Sequence, residues 1–316
     1  MKKQPIYYII GGANIDCVAT PLKDIHPNDS NPATIKTSFG GVARNIASNL
    51  ALYKQDVCFL TVFSTDGFGK DMSLYLSKLE VDISKCLFSK KPSSMYLALL
   101  DKKQDLLMAM VDTSLLSELK SKHIIDFLEH STENDVVIFD TNLEQPLILT
   151  IIEQTKGTLV CDPISIAKGQ KINKHLNKIQ VFKPNRLQAE ILSGIKINDD
   201  QSLIQACQYF LNQGVQELII TLGDQGGVLV THQSILRYKT QQFDIVNAVG
   251  AGDAFLSAYI AFRHQYDKIK TLQLSVAAAI KTCLSVDTVN QDISIEELTR
   301  IIATSTIEIE ELFYEN

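Results

Sequence analysis

The sequence predicts an α/β fold: a three-layer α/β/α sandwich around a mostly parallel sheet. Short, unbroken apolar runs alternate with longer segments of helical period. The runs lack the polar alternation of a half-exposed strand, so both faces of the sheet are expected to be covered. The β-α-β-α order makes parallel pairing the economical topology. No internal repeat, low-complexity tract or linker interrupts the chain. One unit over residues 1–316 is therefore expected.

Taken in order, Ile6–Ile10, Val57–Phe63, Val136–Phe139, Leu159–Cys161, Val181–Phe182 and Leu218–Leu222 read as buried strands. Val42–Tyr53, Lys70–Leu79, Pro146–Gln154, Arg186–Ser193 and Ser202–Gln213 read as the helices between them, and Gly214 fits a C-cap. The last third turns helical: Gly252–Phe262, Leu272–Leu284 and Ile293–Ala303. Two regions break the rhythm. Residues 17–39 hold three prolines and several Asn and Asp, with only short extended stretches expected. Residues 92–112 place Met95–Leu100 and Leu106–Val111 on either side of the polar turn Asp101–Asp105, a hairpin signal. Together the two regions could form a small sheet standing off the main layer.

Composition narrows the function. Hydrophobic residues are 45% and charged residues 21%, near globular averages, which excludes global disorder. The net charge of −6 and a pI near 5.6 argue against a nucleic-acid binder that relies on bulk positive charge. No apolar stretch reaches the ~18 residues of a membrane span. Met1–Pro5 is charged, but the apolar run after it is short and ends at Gly11-Gly12, unlike a signal peptide. The six cysteines form no CxxC pair and several lie inside apolar runs. They read as reduced, buried thiols of a cytoplasmic protein. With no HExxH and six scattered histidines, a zinc site is not expected.

The segment richest in chemistry is Asn247-Ala-Val-Gly250-Ala251-Gly252-Asp253-Ala-Phe255. Glycines at 250 and 252 permit a tight turn and close backbone approach to a ligand. The helix that follows offers unpaired N–H donors and a partial positive charge, which suit a phosphate. Asp253 would repel a phosphate, so it reads as a base aimed at an attacking hydroxyl. Read alone, it also fits a helix cap. A Rossmann fingerprint and a Walker A loop are both absent: Gly250-x-Gly252 lacks the third glycine, and Gly69-Lys70-Asp71 departs from GxxxxGK[ST].

A second constellation follows the first strand. Asn14-x-Asp16 stands at a strand end, where α/β sheets place ligands. Gly40-Gly41-Val-Ala-Arg44-Asn45 opens a helix. Asp16 and Asn45 suit vicinal sugar hydroxyls, and singly both also fit turn or cap positions. Lys183-Pro184-Asn185 ends a further strand. Thr221-Leu-Gly223-x-x-Gly226 could lie under a nucleotide or be a plain strand-to-strand turn.

In chain order, Asn14-x-Asp16, Gly40-Gly41…Asn45-x-Ala47, Asn185, Thr221-Leu-Gly223-x-x-Gly226 and Gly250-Ala251-Gly252-Asp253 resemble the ribokinase-like (pfkB) carbohydrate kinases over nearly the whole chain. The resemblance implies a lid sheet over the sugar, ATP as phosphate donor and Mg²⁺. The lid would fall at about 17–39 and 92–112. Asp253 would be the catalytic base, with the N–H groups of Gly250, Ala251 and Gly252 facing the phosphoryl. Asn14, Asp16, Gly40, Gly41 and Asn45 would hold the sugar, and Asn185, Thr221, Gly223 and Gly226 would face the nucleotide.

Within the family, Asp29-Ser-Asn-Pro32, the run Gly40–Asn49, Ser94-Met-Tyr96-Leu, Lys183–Leu187 and Leu192-Ser-Gly194 resemble the pseudouridine kinase branch. That branch phosphorylates the ribose 5′-hydroxyl of a C-nucleoside. The alternatives are another nucleoside or sugar kinase of the family, or a catalytically silent nucleoside-binding protein. Two positions depart from the family pattern. Gln188 stands where a Glu helps hold Mg²⁺ through water, and Asn247 stands where many members have Asp, which leaves monovalent-cation binding open. Base-reading positions are expected on the lid near Ser94, Tyr96, Asp112 or Thr113. A homodimer through the lid is a further expectation from relatives.

Overall fold

A computed structural model describes residues 4–103 and 105–312. Met1–Lys3 of the charged N-terminus and Gln104 of the polar turn lie outside the described residues. The first half runs β1 (Ile6–Ile10), β2 (Asn14–Pro21), β3 (Ala33–Gly40), α1 (Val42–Leu52), β4 (Asp56–Leu60), β5 (Val62–Ser64), α2 (Gly67–Lys78), β6 (Leu87–Ser89), β7 (Met95–Leu100), β8 (Leu106–Asp112), α3 (Ser121–Leu128), β9 (Val136–Asp140) and α4 (Gln145–Gln154). Then come β10 (Thr158–Asp162), α5 (Ile166–Gly169), β11 (Val181–Phe182), α6 (Arg186–Ser193), α7 (Asp200–Asn212), β12 (Glu217–Thr221), β13 (Gly227–Thr231), β14 (Ile235–Thr240), α8 (Ala251–Phe262), α9 (Lys268–Cys283), α10 (Ile295–Thr304) and β15 (Ile307–Leu312).

Nine strands form the main sheet in the order β15-β14-β13-β12-β11-β10-β9-β1-β4. From β4 to β12 neighbours pair parallel, and β13 to β15 add an antiparallel edge. The unbroken apolar runs are explained by two cores. Tyr7 and Ile9 face a cluster with Phe255, Leu256 and Leu272, while Tyr8 and Ile10 face one with Ile148, Leu203 and Phe210. The strand order reverses between β1 and β9, and such a switch point opens a crevice at the carboxyl ends of the strands.

The lid is a four-stranded sheet in the order β3-β2-β7-β8. Its β7–β8 hairpin matches the sequence expectation, with an irregularity at Leu99/Leu100. The other half corrects one. Residues 14–21 and 33–40 are not short extended stretches but two eight-residue strands in continuous antiparallel register. Their side chains are mostly half-exposed or exposed, so no apolar run announces them. The stretch Val57–Phe63 is also not one strand. It breaks at the buried Thr61, and Val62–Ser64 leaves the main sheet to pair with β6. The six cysteines are all free, but only four are buried; Cys17 in the lid and Cys58 at the edge of the sheet are half-buried.

Candidate active site

The site gathers at the carboxyl ends of β1, β9, β10, β11 and β12, beneath the lid. Gly250 turns the chain into α8 with φ of 88°, and a Cβ there would lie 2.1 Å from the Thr288 carbonyl oxygen. Only glycine fits both conditions. Gly250 is therefore the N-cap, and Asp253 is the third residue of α8 rather than its cap. Among the described residues, the N–H groups of Gly252 and Asp253 have no protein acceptor. They are the orphan donors of a helix start, and they point out of the helix N-terminus.

Asp253 is 7% exposed, and its Oδ2 accepts from Asn45 Nδ2 at 2.7 Å. Burial pushes its carboxyl up to about 7, and the neighbouring Asp162 adds to this, while Lys183, Asn45 and Arg44 pull the other way. A carboxylate that changes charge near neutrality is suited to take a proton from an alcohol. The capping alternative does not describe this geometry, since Gly250 is the N-cap and Asp253 Oδ2 accepts from Asn45, leaving Oδ1 free of that contact.

Lys183 completes this corner. Its ammonium pairs with Asp162 Oδ2 at 2.7 Å, both side chains buried. A Cβ on Gly252 would lie 3.2 Å from Lys183 Nζ, so the ammonium sits beside the first turn of α8. Burial disfavours its charge, but Asp162 and Asp253 more than offset this and hold it protonated.

Of the candidates for the sugar, Asp16 lies in mid-strand on β2 and accepts from Asn14 Nδ2 at 2.5 Å. Burial raises its carboxyl to about 6, against the opposing pull of Arg44 and Asn14. Gly40 lies two residues beyond Ser38, the register partner of Asp16, and a Cβ there would come within 2.2 Å of the Asp16 carboxylate. Gly41, with φ of 97°, is the N-cap of α1, and Asn45 is the fourth residue of that helix. Neither Asp16 nor Asn45 serves as a turn or cap. Behind them the buried Asp140 accepts from the N–H groups of Gly12, Ala43 and Asn142 and fixes the start of α1 against the end of β1.

The nucleotide-side candidates are more spread. Thr221 ends β12, and Gly223 to Gln225 form a 3₁₀ turn into β13, so the strand-to-strand reading describes the backbone there. Gly223 is open on its Cα face, with nothing within 4 Å of where a Cβ would stand. Asn185 and Gln188 form a reciprocal capping box on α6: Asn185 Oδ1 accepts from Gln188 N at 2.9 Å, and Gln188 Oε1 accepts from Asn185 N at 2.8 Å. The side-chain oxygen of Gln188, expected at most indirectly near the metal, is thus engaged by the backbone of its own helix start. Glu190 is no substitute, because it accepts from Ile197 N and Arg186. Among the described residues no cluster of three His, Cys, Asp or Glu could cage an ion. The residues therefore fit Mg²⁺ only as a companion of nucleotide phosphates, which need few protein oxygens. Asn247 bridges two loops, donating to the Val286 carbonyl and accepting from Val249 N.

Comparison with known proteins decides the family. The profile of the pfkB family of carbohydrate kinases matches residues 7–294. This chain belongs to the pfkB carbohydrate kinase family. It is similar to the pseudouridine kinase of Escherichia coli (strain K12), 30% identical over 260 residues, covering 81% of this chain and 83% of that protein. It is similar also to the ribokinase of Staphylococcus aureus (strain COL), at 24% identity, covering 80% of this chain and 84% of the other. Solved structures share the fold. A ribokinase from Thermotoga maritima superposes with a TM-score of 0.82 at 21% identity, covering 95% of this chain and 100% of that one. An Arabidopsis thaliana ribokinase complexed with ribose and ATP gives 0.80 at 15%, covering 95% and 99%.

Sequence reasoning missed Asp140 and Asp162, and it quoted Arg44 and Lys183 only within longer strings. A signal existed for three of them. Asp140 and Asp162 end β9 and β10, and Lys183 directly follows β11; each is the first charged residue after a buried apolar run, at the ligand-binding end of an α/β sheet.

Proposed function

We propose that this kinase transfers the γ-phosphoryl of ATP to the 5′-hydroxyl of pseudouridine, giving pseudouridine 5′-phosphate and ADP. The observation that carries the kinase chemistry is the buried Asp253 beside two unpaired helix N–H groups. Asp16 and Asn45 hold the ribose, and Asp253 takes the hydroxyl proton as the oxygen attacks the γ-phosphorus. The bond from that phosphorus to the β–γ bridging oxygen breaks, and ADP leaves with the electron pair. The N–H groups of Gly252 and Asp253, with Lys183 behind them, stabilise charge on the transferring group. Mg²⁺, when bound with the nucleotide, neutralises phosphate charge.

The substrate assignment rests on likeness to the Escherichia coli pseudouridine kinase, and the ribose-and-ATP-bound relative supports the ligand classes. Tyr96 pairs with Asp16 in the β2–β7 register and so shares its face of the lid, which makes it the base-reading candidate best placed. The test is a panel of nucleosides and sugars with ATP, read by product mass. Pseudouridine is expected to exceed uridine, ribose and fructose. A sugar as best substrate would overturn the substrate reading alone. No stimulation of ADP release by any of them would favour a silent binding protein.

We also propose that a second copy of the chain covers the lid. All seven residues of β8 are exposed on a sheet edge, including Leu106, Leu107, Met108, Met110 and Val111. An exposed apolar edge strand is a pairing liability unless it is covered. The working unit is taken as one domain in a reducing, cytoplasmic setting, in keeping with six free thiols.

A further inference from the structure

Thr288 belongs to no motif, yet it is buried at the junction of three parts of the site. It lies in the segment between α9 and α10. Its hydroxyl oxygen is 2.8 Å from the Phe39 carbonyl oxygen at the root of the lid, 3.1 Å from Arg44 Nη2, and 3.3 Å from Asn45 Oδ1. Its own carbonyl packs against Gly250 at the start of α8.

A hydroxyl has one proton to give and two lone pairs to receive. Arg44 has only donors, so it must give to Thr288. The hydroxyl proton then goes chiefly to Phe39 O at 2.8 Å and is shared with Asn45 Oδ1 at 3.3 Å. Thr288 is the one donor within reach of Asn45 Oδ1 among the described residues. The other end of that amide is committed to Asp253. A flipped amide would set Oδ1 against the carboxylate, oxygen to oxygen. Arg44 itself is 1% exposed and has no carboxylate within ion-pair distance among the described residues; its Nε donates to the Gly40 carbonyl. Its charge acts on Asp253 and Asp16 across space, and its Nη2 fixes the Thr288 hydroxyl.

We propose that Thr288 is a positioning residue: its hydroxyl, fixed by Arg44, orients the Asn45 amide and so keeps Asp253 in the form that accepts a proton. This rests on the reading of Asp253 as the base. The charged groups facing Asp253 are Arg44 on α1, Asp162 at the end of β10 and Lys183 after β11. Thr288 acts on the balance among them through Asn45, without touching substrate.

The test compares Thr288→Val, which keeps the branched shape and removes the hydroxyl, with Thr288→Ser, which keeps the hydroxyl. The readout is kcat/KM for the nucleoside from about pH 5.5 to 9. In Thr288→Val the acidic limb is expected to move up by roughly half to one pH unit, the effect of one ordinary hydrogen bond. Below the limb that is about a 3- to 10-fold loss, fading at high pH, with KM for ATP unchanged. Thr288→Ser is expected to restore the wild-type limb. If Thr288→Val does not fold, Thr288→Ala, which leaves room for water against Arg44, is read in the same way. An unmoved limb, an equal loss at every pH, or a serine variant that behaves like valine would overturn the proposal. Asp253→Asn separates the two readings. If that variant remains active, the base assignment fails; if it is inactive while the limb of Thr288→Val stays put, only the Thr288 proposal fails.

Discussion

The side-chain amide of Asn45 donates to Asp253 Oδ2 at 2.7 Å, joining residues 208 apart in the chain. This contact ties the start of α1 to the start of α8, so one hydrogen bond near two helix N-termini sets the positions of both side chains.

Replacing Asp253 by Asn keeps the size of the side chain and removes the proton acceptor. kcat is expected to fall by at least ~10²-fold, the lower range for general base catalysis. Nucleotide affinity is expected to change little, because the helix donors are backbone groups. Single-turnover rates and ATP binding by calorimetry check this, and near-normal turnover would end the assignment.

The pH dependence follows from the two raised carboxyls. Asp253 works only when ionised, and its carboxyl sits at about 7, so kcat/KM is expected to rise as pH increases through neutrality. Asp16 at about 6 adds a second loss below that, since a protonated carboxyl accepts fewer hydrogen bonds from sugar hydroxyls. A profile flat from about pH 5 to 8 would contradict both.

Gly40→Ala tests the sugar side without touching a charged group. The new methyl would lie 2.2 Å from the Asp16 carboxylate, closer than any real contact, so Asp16 must move. KM for the nucleoside is expected to rise about tenfold or more, as for a lost charge-assisted hydrogen bond, with KM for ATP unchanged. Equal effects on both substrates would place Asp16 elsewhere in the reaction.

Gln188→Glu probes the metal. Glutamate can keep the capping box with Asn185 and is favoured at a helix N-terminus. Its second oxygen is then free and charged. A lower half-saturating Mg²⁺ concentration is expected, and an unchanged titration would place position 188 outside the metal's surroundings.

The pairing surface on the lid is tested by Met108→Lys with Met110→Lys. The two residues are 51% and 59% exposed and lie opposite Leu99 and Leu97, on the lid face away from Asp16. Light scattering is expected to show the wild-type chain as a dimer and the double variant as a monomer. A wild-type monomer would remove this interface.

The sequence by itself determined the sandwich and the buried middle of most of its parallel strands. The runs Val136–Phe139 of β9 and Leu218–Ile220 of β12 are buried on both faces, and burial leaves an unbroken apolar run that can be read without a structure. Gly250 was legible for a similar reason, since a left-handed turn packed against the Thr288 carbonyl admits only glycine. What the sequence left undecided, the tertiary structure decided. The outer half of the lid has few buried side chains, so its two long strands wrote no period into the chain. Thr61 ended a strand within an apolar run because pairing partners, not local preference, set where β4 stops. That Asp253 is no helix cap and that Gln188 shares a capping box depended on partners. Asn45 is distant in sequence from Asp253, whereas Asn185 is three residues from Gln188. Thr288 shows the limit most plainly: a threonine in a loop acquires its meaning only when Phe39, Arg44, Asn45 and Gly250 are folded around it.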